Sequence, residues 1–187
     1  MDELERTAAD AATGDPLAAA ALVRATQSDV WRLCAALGDR QSADDLTQET
    51  YLRAFGSLHR FEGRSSVRTW LLTIARRVCA DAVRSRRRRP VTLVPDDGDL
   101  EALGRPAGAD GVAESATVTD LLARLDADRR EAFVLTQLIG LPYAEAAEVA
   151  GCPVGTIRSR VARARADLVD SLAGVKADGD RGDAAHG

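Results

Sequence analysis

The chain has 187 residues, 45% of them hydrophobic but only 4% aromatic, with a formal net charge of −4. That length allows one large domain or two small ones. Nothing in the sequence reads as a signal peptide or membrane span, which points to the cytosol and against a membrane partner. Cys34, Cys79 and Cys152 are scattered and the only histidines are His59 and His186, so neither a disulfide framework nor a metal site is expected.

Taken in order, the chain is helix after helix, and its Ala- and Leu-rich apolar content favours packed helices over sheets. Residues 1–14 are expected to be an N-terminal tail. Asp15-Pro16 opens a helix that runs through Leu17, Leu22, Val23, Val30, Trp31 and Leu33 and ends near Gly38. Ser42 is the expected N-cap of a second helix reaching about Phe55. A loop from Gly56 to Arg64 leads to a third helix, starting near Ser65-Ser66 and stopped by Pro90 after Arg86-Arg87-Arg88-Arg89. Residues 90–116, rich in Gly, Pro and acids, read as a flexible linker. A second helical unit spans 117–175, with Asp126 as a cap, and residues 176–187 are expected to be a disordered tail. The fold class is all-α, two small helical domains on a tether.

The modest net charge hides two basic islands. Residues 64–90 carry nine arginines against Asp81, and residues 154–166 carry four arginines and no acid. Local positive patches neutralise phosphates whatever the total charge. The second island lies on the clearest motif. A short helix pattern, Tyr143 to Ala150, is followed by a Gly-containing turn and a helix from Val154. This is the layout of a helix-turn-helix, whose second helix enters a DNA major groove. A helical wheel puts Val154, Ile157, Val161, Ala164 and Leu168 on one side and Thr156, Ser159 and Arg163 on the other. Arg160 and Ala162 flank that polar face, and Arg158 lies at the edge of the apolar stripe. Hydroxyls and guanidinium groups so arranged suit base edges and phosphates.

Two features of the first unit leave alternatives open. Asp45, Gln48, Glu49 and Leu52 share one side of a helix, either as a docking surface for a protein or as a solvated acidic face. The loop Phe61-Glu62-Gly63-Arg64-Ser65-Ser66 combines an aromatic with small, polar and basic groups. It is either a site for an unstacked base or a plain connection. The helix after it turns Thr69, Thr73, Arg76 and Ala80 away from its apolar stripe, flanked by Arg77 and Arg84; Trp70 belongs to the stripe and is expected in the core.

Three stretches in order and register, Asp44 to Thr50, Arg60 to Leu71 and Cys152 to Arg160, resemble bacterial RNA polymerase sigma factors of the extracytoplasmic-function (ECF) type. The resemblance covers about residues 15–172. It implies sigma region 2 over 15–89 and sigma region 4 over 117–175. It further implies that Asp45, Gln48, Glu49, Leu52 and Arg53 meet the β′ clamp helices of core RNA polymerase, with the β flap as a second contact. Phe61, Gly63, Arg64, Ser65, Ser66, Arg68, Thr73, Arg76 and Arg77 would take the −10 element as melted non-template strand. Thr156, Arg158, Ser159, Arg160, Ala162 and Arg163 would read the −35 element as duplex. The resemblance implies a non-enzyme without cofactor that directs promoter recognition and transcription initiation, and adds an anti-sigma protein to the partners it admits.

Overall fold

This computed structural model describes residues 2–38, 40–88 and 120–182, with backbone alone for Arg87 and 173–182. Among the described residues there is no strand. The first domain holds α1 (Glu3–Ala12), α2 (Pro16–Leu37), α3 (Ala43–Ser57) and α4 (Val67–Arg88). The second holds α5 (Ala127–Phe133), a π-helical turn (Val134–Leu138), α6 (Tyr143–Ala150) and α7 (Val154–Gly182). The linker expected over 90–116 lies outside the described residues.

Local chemistry starts most of these helices. Asp15 accepts from the amides of Leu17 and Ala18 while Pro16 sits where no amide partner is needed. Asp126 accepts from the Asp128 amide in the same way. Ser42 precedes α3 but makes no capping bond; its hydroxyl accepts from Arg86 instead, tying the start of α3 to the end of α4. At α4 the cap is Ser66, whose hydroxyl accepts from the Thr69 amide at 3.1 Å.

Three expectations need correction. The stretch expected as an N-terminal tail over 1–14 is helical from Glu3 to Ala12. Asp2 and Glu5 form a reciprocal capping box, and α1 buries Ala8 and Ala11 against Leu22, Leu58 and Val67. At the other end the backbone stays helical to Gly182, past the start expected for a disordered tail; residues 183–187 are outside the described range. Nor are the domains separate bodies. One apolar cluster runs from Val30, Leu33, Leu71 and Val78 in the first domain to Leu135, Ile139, Val149 and Ile157 in the second. Helix α4 lies at its centre, with α2 and α3 on one side and α6 on the other.

Within the first domain, Thr26 satisfies a buried hydroxyl pair, donating to the Leu22 carbonyl and lying 2.8 Å from the Tyr51 hydroxyl. Cys34 and Cys79 are both buried in the same core. A hydrogen bond to Cys34 and burial push the Cys79 thiol well up, so it stays protonated and packs as an apolar group.

Leu33 is fully buried whereas Leu52 is 70% exposed. Leu33→Ala is expected to cost about 2–5 kcal/mol in urea unfolding, and Leu52→Ala to stay within about 0.5 kcal/mol.

Candidate nucleic-acid interface

The helix-turn-helix is built as its periodicity demands. Helix α6 ends at Gly151, whose φ of +65° places it in the left-handed region, and its amide caps the Ala147 and Glu148 carbonyls. Cys152 then donates back to the Ala147 carbonyl at 3.1 Å, and the chain turns into α7. Ile157, Val161 and Ala164 are buried, with Val154 and Leu168 packed beside them. On the outer side Arg158, Ser159, Ala162 and Arg163 are exposed and Thr156 is half-buried. Arg158, expected at the edge of the stripe, is thus among the solvent-facing residues. Arg160 is different. It pairs with Asp128 of α5 and donates to the Cys152 sulfur at 3.6 Å, so it braces α7 against its own domain.

The acidic side of α3 also stands free of the fold. Asp45, Gln48 and Leu52 are exposed and Glu49 is half-buried. Arg53 donates to Glu49 at 2.7 Å and to Asp81 at 2.8 Å, so its guanidinium is fixed between α3 and α4. Beside Gln48 runs an open groove lined by Gln27, Ser28, Trp31, Asp44 and Thr47, which the sequence reading did not single out. Trp31 is half-buried, and its indole N–H donates to Asp44 at 2.8 Å, clasping α2 to the first turn of α3.

The loop and outer face of α4 are arranged less simply. Gly63, with φ of +68°, turns the loop, and Arg64 is strongly exposed and paired with Glu62. Phe61 is half-buried against Trp70, ring centres 5.1 Å apart and tilted by 48°, so Trp70 joins the core edge as expected. Arg77 is exposed, and Ser65 and Thr73 are half-buried. The remaining residues are engaged by the second domain. Thr69, only 1% exposed, donates to the Glu145 carboxylate at 2.6 Å, and the Ser66 hydroxyl lies 3.2 Å from the same oxygen. Arg68 holds Asp29 of α2 at 2.8 Å and donates to the Ile139 carbonyl at 2.7 Å. Arg76 pairs with Glu131 of α5. A face with the composition of a solvent-exposed helix surface is therefore an internal interface.

The three partners on the second domain escaped the sequence reading for a reason. Glu145 looks like an acid placed for a helix dipole, Glu131 like any surface acid, and a backbone carbonyl leaves no sequence signal. Glu131 is in fact only 5% exposed. Burial pushes its carboxyl above the ordinary value of 4.5, and the hydrogen bond and charge of Arg76 only partly offset this. Among the described residues no group of three or more His, Cys, Asp or Glu side chains is placed to hold a metal ion. No helix there is long and apolar enough to cross a membrane.

Comparison with known proteins agrees with this architecture. Residues 22–89 match the Sigma-70 region 2 family and residues 115–168 the Sigma-70 region 4 family. The chain is 54% identical over 168 residues to the probable RNA polymerase sigma-C factor of Mycobacterium bovis, covering 87% of each chain. It is 38% identical over 131 residues to the ECF sigma factor EcfG of Rhodopseudomonas palustris, covering 70% of this chain and 71% of that one. Among solved structures, CnrH in complex with the cytosolic domain of CnrY superposes with a TM-score of 0.72 at 28% identity, over 92% of this chain and 99% of that one. RpoE of Bartonella quintana, in complex with the anti-sigma factor NepR, gives 0.67 at 30% identity, over 80% and 93%. Two such domains in this order define a transcription initiation factor. The chain belongs to the ECF sigma factors, and as such serves promoter-specific transcription.

The sign of one pH effect follows from Glu131. Its folded carboxyl binds a proton more tightly than the unfolded one, so the fold loses stability as pH rises through the folded value. Below the ordinary value both states are protonated and the gain is complete. Glu131→Gln should therefore flatten this part of the pH dependence. Urea titrations at pH 5 and pH 8 are expected to show a variant that compares more favourably with the parent chain at the higher pH.

Proposed function

We propose that this chain binds core RNA polymerase through α3, reads the −35 element as duplex with α7, and holds the −10 element as melted non-template strand on the loop and helix around Phe61 to Arg77. The observation that carries the duplex reading is the split of α7, with Ile157, Val161 and Ala164 buried and Arg158, Ser159, Ala162 and Arg163 outward. A helix anchored by its apolar stripe presents its other side at a fixed angle, which groove recognition needs. In this assignment Thr156 stands at the helix start, and Arg158 and Arg163 reach phosphate or guanine edges. Arg160 positions the helix through Asp128 instead of touching DNA.

The docking reading is supported by Leu52, an exposed apolar side chain beside Asp45, Gln48 and Glu49. An apolar centre with a polar, charged rim is how protein interfaces are commonly built. Arg53, held by Glu49 and Asp81, keeps that surface in one conformation before binding. On the polymerase side the partners are the β′ clamp helices for α3 and the β flap for the second domain. For the −10 strand, Phe61 offers a stacking edge beside Gly63, Arg64, Ser65 and Ser66, and Arg68, Thr73, Arg76 and Arg77 line the helix that follows. Capturing an unpaired base offsets part of the cost of opening the duplex, about a few kcal/mol per step. The RpoE relative was solved with an anti-sigma factor, and an anti-sigma protein is proposed for this chain by analogy.

No catalytic step is assigned to the chain; polymerase supplies the chemistry. The test is run-off transcription with bacterial core polymerase on a promoter library. Arg163→Ala is expected to lower promoter-specific transcripts about 5- to 150-fold, the 1–3 kcal/mol scale of a lost base contact, while polymerase binding persists. Charge reversal at Asp45 and Glu49, combined with Gln48→Lys, should abolish co-purification with core polymerase and leave helix content by circular dichroism unchanged. A protein that shifts duplex DNA alone and never engages polymerase would be a free-standing regulator instead.

A further inference from the structure

Residues 64–90 carry nine arginines and a single acid, Asp81. That acid stands on α4 between two guanidinium groups. Its Oδ2 accepts from Arg53 of α3 at 2.8 Å, and its Oδ1 accepts from Arg84, one turn further along α4. Arg53 also reaches the other way, its Nε donating to Oε1 of Glu49 at 2.7 Å. A chain of alternating charge thus runs from the acidic side of α3 to the basic end of α4: Glu49, Arg53, Asp81, Arg84. Asp81, ahead of Glu49, raises the Arg53 guanidinium above its ordinary value. Arg53 first and Arg84 second hold the Asp81 carboxyl below its own.

Glu49, Arg53 and Asp81 each keep close to half of their side chain in water, and exposed pairs of this kind add little to stability. What they set is the direction in which charge points. A guanidinium presents its donors as a rigid fork and grips one carboxylate with two parallel bonds when nothing else claims it. Glu49 lies one turn before Arg53 on the same helix, the favoured order and spacing for such a grip. Asp81 takes the Nη1 donor and leaves Nε for Glu49. We infer that Asp81 is a positioning residue for the docking side of α3: by drawing Arg53 toward α4, it keeps Glu49 from being neutralised and leaves that charge, with Asp45, to a basic group on the polymerase. This rests on the reading of α3 as the polymerase-docking side. Without the Asp81 carboxylate, Arg53 closes on Glu49 with both edges of its fork, and the face offers one acid fewer.

The experiment measures the affinity of the full chain for bacterial core polymerase over a range of salt, with circular dichroism as the check on folding. Asp81→Asn is expected to weaken binding about three- to tenfold at low salt, as Glu49→Gln does, and to flatten the salt dependence by the same amount. Asp81→Glu keeps the carboxylate and is expected to bind like the parent chain. The double variant Asp81→Asn/Arg84→Gln has the parent's net charge and is expected to stay weak. In an Arg53→Met background Asp81→Asn is expected to change nothing, because no guanidinium remains to close on Glu49. Should Arg53→Met alone remove binding, the Asp81→Glu and charge-matched arms still decide. Parent-like affinity for Asp81→Asn beside a weak Glu49→Gln would overturn the inference. So would recovery in the charge-matched variant, a loss that persists without Arg53, or a loss that tracks falling helix content. If Glu49→Gln itself binds like the parent, the docking reading of α3 fails at that residue instead.

Discussion

Helix α4 has to be buried on two sides, and most of the architecture follows from that constraint. Its inner stripe, Leu71, Leu72, Ala75 and Val78, supplies the centre of the first domain. Its outer side carries hydroxyls and arginines, which cannot be sealed from water without partners. The second domain supplies those partners: Glu145 for Thr69, the Ile139 carbonyl for Arg68, Glu131 for Arg76. Apolar packing brings the domains together, and the polar contacts fix where they meet.

The same contacts explain why a chain of two linked units behaves as one packed body without a large purely apolar seam. The Glu131–Arg76 pair is no strong adhesive, since the burial that raises the Glu131 carboxyl outweighs the attraction of its partner. A more hydrophobic seam would hold harder.

The sequence was informative wherever burial is periodic. The stripe of α7, the caps at Asp15 and Asp126, and the core role of Trp70 all follow from spacing and residue type, because a helix must bury one side and satisfy its first amides. It was silent where polar residues are buried by something distant. Thr69 and Arg76 occupy positions that normally face water, and only a partner 55 or more residues away removes them from it. Helix α1 was missed because alanines and charges carry little apolar signal, although Ala8 and Ala11 are buried. The π-helical turn at Val134–Leu138 was equally hidden, since an extra residue in a turn leaves the apolar character of the segment unchanged.

Helix α1 touches none of the proposed contacts, yet it lies under one of them. Ala8 and Ala11 share a cluster with Leu58 and Val67, the residues just before and just after the loop that contains Phe61, and Phe61 and Trp70 pack on its border. Small side chains are what let α1 sit so close. Evolutionary change there is therefore restricted by volume and not by chemistry. A bulkier residue at Ala8 would lift the floor beneath the loop, so drift at the amino-terminal end would surface first as a change in the shape of that loop.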